Sequence, residues 1–554
     1  MSGAGGVTAA ASGPRMIVRF VAVLCMVGLL GAGAGSAAGG PQAVEAPQDD
    51  AVAKATRYRE QGLSYVKEGS TQAALGHFYS ALELDPSDKI SHDSIGVILA
   101  EAGRTSESVS HFEKAIEIDP EFADAHFHRA MALRRSGDSS GTLGSLYATL
   151  RLKPDLLPAR YMLSAALRGV GDTRGAERLL RGIVERAPGF AEARYNLAAL
   201  LQRDGKTEEA AKHLAQAVLA EPGNPLPLLA LGIAQAELND VAAAAESLGK
   251  VIELQPGNPA AHYNLGLALT KRQNLGTAIK HFRAALDLDP SYPAARRALG
   301  VGLLQRGEPE SAARELTRAI TDFPGDFEAH NSLGTVLLRQ RNFDRAIHHF
   351  EEAIRFNPLL LKAYRNLAQA YQRAGRPEDA RGATQRSEEV SQKRSNNGRA
   401  MLLVQSGKYL LDTGDLAKGL EQLREARDLS PEYEDAHLWF GVALRETGAD
   451  LEESRVALGE VLKLNPTRAE ARYQLGLTLR KIGDIAGALK ELQAAAELAP
   501  SLIEAQRALG NLAIEAGEYS AARAAFEAVL AWEPDDKHAR EARERAIREG
   551  NQQD

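Results

Sequence analysis

The chain has 554 residues, 44% hydrophobic and 25% charged, a balance that excludes wholesale disorder. Its single cysteine excludes an intramolecular disulfide framework and a cysteine-based zinc site. A net charge of −7 gives no electrostatic argument for a nucleic-acid partner.

Residues 1–38 read as an address. Arg15 and Arg19 are the only charges before Glu45, and Phe20 to Leu30 is an apolar run. Small residues follow from Gly31 to Gly40, with cleavage expected after Ala37 or Ala38. A basic flank, a short apolar core and small residues make a secretion signal. The alternative is an uncleaved membrane anchor over residues 16–38. The expected location is periplasmic or extracellular. Residues 39–54 read as a linker.

From there one period governs the chain. Prolines stand at 86, 120, 154, 188, 222, 256, 290, 324 and 358, each 34 residues after the last. Pro431, Pro466, Pro500 and Pro534 continue the series. Ten residues after each proline is a small residue, as at Gly96, Ala130, Gly266 and Gly334. Seven further on is usually glycine, as at Gly103, Gly137, Gly307 and Gly483. Eight before the proline is a large apolar residue, as at Phe78, Phe112, Leu146, Phe282 and Phe350. The small residue lets two helices approach. The glycine stops the first helix in the left-handed conformation. The proline ends the second and sets the turn into the next unit. Each unit is therefore expected to be two antiparallel helices, stable only when stacked on neighbours.

This pattern resembles the tetratricopeptide repeat, most clearly over Ala260–Pro290. The resemblance covers residues 55–536 and implies an all-α, right-handed superhelical solenoid with a concave groove lined by first helices. The phase predicts ten units over 55–394, the tenth degenerate. Gln392 replaces its proline and Thr384 its large apolar residue. Residues 395–399 are an insertion and a candidate hinge. Four units follow over 400–536, and 537–554 reads as a capping helix and tail.

Histidines invite a metal or catalytic reading, but ten of the 13 fall at two repeat positions. His92, His126, His262, His330 and His437 share one, and His77, His111, His213, His281 and His349 the other. Positions that follow the repeat read as packing or surface. No nucleophile elbow, phosphate loop or His-Glu-x-x-His motif occurs. No cofactor, metal or enzymatic activity is expected.

The resemblance points to the first helices as the binding surface. Some relatives clamp a C-terminal carboxylate with Lys and Asn. The corresponding pairs here include Asp93/Val97, Tyr195/Ala199 and Tyr263/Leu267, so that clamp is not expected. Asn196, Asn264 and Asn366 share the site of the asparagine ladder of O-linked N-acetylglucosamine transferases, but only as a broken ladder. The groove candidates are Tyr161, Tyr195 and Tyr263 with these asparagines, flanked by Arg134, Arg135, Arg168 and Arg203. Aromatics beside small apolar surface suit peptide anchors, and the arginines suit an acidic partner. The function expected is a non-catalytic scaffold, exported from the cytoplasm, that binds partner proteins or extended peptides. The alternative is a regulatory or substrate-presenting subunit of an envelope glycosyl-transfer or polysaccharide-export complex. A helical-repeat nucleic-acid binder is opposed by the acidic charge, and membrane contact is expected only if the N-terminal segment is uncleaved.

Overall fold

The computed structural model describes the backbone of residues 47–552 and the side chains of residues 51–552. The secretion signal at 1–38 lies outside the described residues. Those described form 28 helices and no strand. The chain is an all-α repeat solenoid of antiparallel helix pairs.

One unit shows how local chemistry produces the pair. Pro259 opens the first helix, Pro259–Lys271, and the Asn258 side chain accepts from the Ala261 N–H. Proline in the first turn lacks only an N–H that would be unpaired anyway, and the Asn oxygen caps another. Gln273 then takes a positive φ of 61° and turns the chain. Asn274 caps the second helix, Leu275–Leu288, which stops at Asp289 before Pro290.

The two helices meet through the small residue and the large apolar one. A Cβ placed on Gly266 would lie 2.5 Å from the Phe282 ring, and one on Gly334 would lie 2.7 Å from Phe350. The same contact links Gly96 to Phe112 and Gly510 to Phe526. Phe78, Phe112, Phe282, Phe350 and Phe526 are almost wholly buried. Burying each ring contributes about 1.5–3 kcal/mol, and the glycine opposite provides the room. Where the partner is leucine the approach is as close, with Gly232 against Leu248, Gly300 against Leu316 and Gly476 against Leu492.

Two features differ in detail from the sequence reading. The first helix begins at Pro47 and takes in residues 47–54, read above as linker. The candidate hinge at 395–399 lies inside one uninterrupted helix, Pro377–Asp412. With no proline at 392, the second helix of the tenth unit runs on into the first helix of the next. Its polar middle is held by polar contacts. Lys393 Nζ lies 2.6 Å from Glu432, the Ser430 hydroxyl donates to Asn397 at 2.6 Å, and Arg394 donates to the Leu359 carbonyl at 3.3 Å. The last helix, Lys537–Gly550, buries only Ala539 and Ala546, against Phe526 and Ala522 among others.

The chain divides into two compact units, residues 184–447 and residues 47–183 together with 448–552. The second contains a contact between positions far apart in sequence. The buried Asp172 carboxylate accepts from the Ser501 N–H at 2.7 Å and from its hydroxyl at 2.8 Å. It also caps the helix Thr173–Arg186 through the Gly175 N–H at 2.8 Å. A Cβ on Gly175 would lie 2.5 Å from the Ser501 Cβ, so only glycine admits this approach. Nearby, the Arg178 guanidinium sits 5.0 Å from the Trp532 ring. Burial pushes the Tyr147 hydroxyl well above the usual tyrosine range.

Candidate functional site

The first helices begin just after a proline-ended turn, and that turn leaves a carbonyl to be satisfied. A basic side chain six residues after the proline does so. His92 lies 3.3 Å from the Pro86 carbonyl, His126 3.1 Å from Pro120, His330 3.1 Å from Pro324 and His437 2.9 Å from Pro431, each through Nε2. Arg160 and Arg194 donate from Nε to Pro154 and Pro188 at 2.6 Å. Of the first-position histidines, His92, His126, His330 and His437 are therefore turn donors, and arginine takes that role in other units.

Three of them also meet the histidine of the second position, 19 residues on. The Nδ1 atoms of His92 and His111, of His262 and His281, and of His330 and His349 are each 3.1 Å apart. With Nε2 of His92 and His330 donating to a carbonyl, their neutral rings present a lone pair at Nδ1, and the partner's Nδ1 carries the proton. Burial holds His92, His111, His281 and His330 below the ordinary histidine value, and His349 down to about 4. The positions were legible in the sequence, but the pairing across two helices was not. Among the described residues no group of three or more His, Cys, Asp or Glu is placed to hold a metal ion.

The groove candidates divide between the two compact units. Arg134, Arg135, Tyr161 and Arg168 lie in one, and Tyr195, Asn196, Arg203, Tyr263, Asn264 and Asn366 in the other. Tyr161, Tyr195 and Tyr263 are all half-buried. Tyr263 packs 5.1 Å from Tyr292 and 6.2 Å from Phe282, so part of its ring joins adjacent repeats. Burial raises its hydroxyl pKa. Four residues along the same helix, Leu267 is 36% exposed.

The asparagines do not form a common row. Asn264 donates to its own helix at the Ala260 carbonyl, 2.8 Å away. Asn366 donates at 3.0 Å to Asn331, a buried residue off the repeat phase. The half-buried Asn196 has partners of its own. Among the bases, Arg135 donates to the Ala100 carbonyl at 2.8 Å, and Arg203 lies 4.0 Å from Asp204. Arg134 is exposed, and the exposed Arg168 is engaged elsewhere. One buried pair escaped the sequence reading. Asp93 and His128 meet at 2.9 Å between adjacent first helices. His128 falls outside both repeating histidine positions, so no periodicity announced it.

Helix pairs of this length, stacked through a glycine–phenylalanine contact, define a helical-repeat protein. One tetratricopeptide repeat model matches residues 59–121, 229–293, 297–358, 332–393, 404–453 and 448–503. Others match 167–231, 479–546 and 111–141. These matches cover more than half of the chain, which belongs to the tetratricopeptide repeat family. None of the curated proteins compared matches it. Among solved structures, it is similar to a tetratricopeptide repeat protein from Parabacteroides merdae, at 16% identity over 45% of this chain and 98% of that one, with a TM-score of 0.38. It is similar to MamA from Desulfovibrio magneticus at 26% identity over 31% and 96%, with a TM-score of 0.28. It is also similar to YrrB, described as having an unusual peptide-binding site, at 20% identity over 33% and 95%, with a TM-score of 0.28.

Proposed function

We propose that the protein is a non-catalytic scaffold that binds an extended peptide segment of a partner protein along its first helices. The observation that carries this reading is Leu267, 36% exposed on the helix that also presents the half-buried Tyr263. Large apolar side chains left partly open beside aromatic rings gain free energy when a peptide covers them. Tyr161 and Tyr195 hold the same place in other units and would extend the surface. The reading includes export, which rests on the residue pattern of 15–38.

The test is a binding-defective surface variant. Leu267→Glu changes a partly exposed residue, so the thermal midpoint should stay within about 2 °C, as surface substitutions remain within roughly 0.5 kcal/mol. Affinity for a partner identified from the native cell should fall at least about tenfold, because the charge is desolvated on binding. Unchanged affinity would remove this helix from the binding surface.

A further inference from the structure

An open cleft of about 570 Å³ lies away from the groove candidates, in the unit formed by residues 184–447. It is walled by the second helix Pro309–Asp322 and by Arg345 of the second helix Phe343–Phe356. Its floor is Ala313 with Leu333 and Leu337 of the first helix Phe327–Arg339, the two leucines only 1% and 4% exposed. Its rim is cationic. Arg314 and Arg318 stand one helical turn apart, and Arg345 reaches in from the other helix.

Several arginines nearby are paired. Arg297 holds Asp326 at 2.8 Å, Arg355 holds Glu352 at 2.6 Å, and Arg296 lies 3.1 Å from Asp322. Asp322 is the one carboxylate lining the cleft, and Arg296 already engages it. Arg314 donates only to the Ser311 hydroxyl at 3.0 Å. Neither Arg318 nor Arg345 has a carboxylate partner among the described residues. Three exposed guanidinium groups thus line one cleft without a carboxylate partner of their own.

We propose that this cleft binds a short acidic peptide of a partner protein, its carboxylates on Arg314, Arg318 and Arg345. Guanidinium groups pair carboxylates in a planar, two-bond fork. Three arginines spread over two helices along an open cleft of about 570 Å³ suit the spaced carboxylates of a peptide better than one small anion. Thr317 and Gln340 line the same cleft and offer polar partners to a peptide backbone. None of the first-helix groove candidates lines this cleft, so either site can fail alone.

The test uses the full chain and a fluorescein-labelled Glu-Leu-Glu-Leu-Glu peptide, followed by anisotropy at low salt. Binding should be saturable. The Gln-Leu-Gln-Leu-Gln counterpart should bind about tenfold more weakly or worse. Arg318→Gln and Arg345→Gln should each weaken the acidic peptide about three- to tenfold, and the triple variant with Arg314→Gln should abolish binding. Arg355→Gln, whose arginine is already paired, should leave it unchanged, as should Leu267→Glu. All three arginines are exposed, so their replacement should leave the helical circular dichroism spectrum intact. Full binding by the triple variant, or equal binding of the two peptides, would overturn the proposal. Tighter binding of tripolyphosphate than of the acidic peptide would overturn the peptide assignment.

Discussion

Asn239, Gln273 and Arg341 have φ of 63°, 61° and 59°, at the repeat position where eleven other units carry a positive-φ glycine. The left-handed conformation costs a residue with a Cβ about 1–2 kcal/mol, with asparagine the most tolerant of the three. Gln273→Gly and Arg341→Gly should therefore each stabilise the fold, by about 0.5–1 kcal/mol after the added freedom of the unfolded glycine is subtracted. Urea unfolding of the single variants checks this, and a loss of stability would show that the native side chains make contacts worth more than the strain. The histidine pairs belong to the same scale. Burial holds His92, His111, His281, His330 and His349 below the ordinary value of 6.5 when folded, so the unfolded chain binds more protons as acid is added. Stability should be fully present above about pH 6.5 and fall toward pH 4, where His349 titrates when folded. A thermal-melt series on His349→Gln should show a shallower acid limb than the wild-type chain, and parallel limbs would remove the pair from the account.

Each helix pair was largely legible in the sequence because one small set of residues recurs in phase. Gly266 and Phe282 are 16 apart in every copy of the motif, so the close helix contact follows from spacing alone. The joint at 387–399 was not legible in the same way. Polar residues, a missing proline and an insertion fit a hinge and a helix equally well by composition. The contacts that decide it, Lys393 with Glu432 and Ser430 with Asn397, join residues that share no repeat phase. Restoring the expected proline should now do harm. Gln392→Pro lies within the helix Pro377–Asp412, where it removes a backbone donor and clashes with the preceding turn. It should destabilise the chain by about 3 kcal/mol by urea unfolding. Unchanged stability would mean that the segment is not helical in solution.

At the scale of the whole molecule, periodicity predicts neighbours and nothing beyond them. The bond between Asp172 and Ser501 joins residues 329 apart, and no repeat rule places them together. The asparagine and arginine candidates show the same limit. Their phase is regular, yet Asn264 turns back to its own helix and Asn366 finds Asn331. The binding claim rests on the apolar part of the expected groove. The most direct measurement places a photo-crosslinking amino acid singly at Tyr195, Leu267 and Leu219 in the living cell. The first two are on first helices, and Leu219 is 71% exposed on a second helix. Adducts at Tyr195 and Leu267 to the same protein, identified by mass spectrometry, with none at Leu219, are expected. Adducts at Leu219 alone, or different proteins at Tyr195 and Leu267, would contradict a peptide-binding surface built by the first helices.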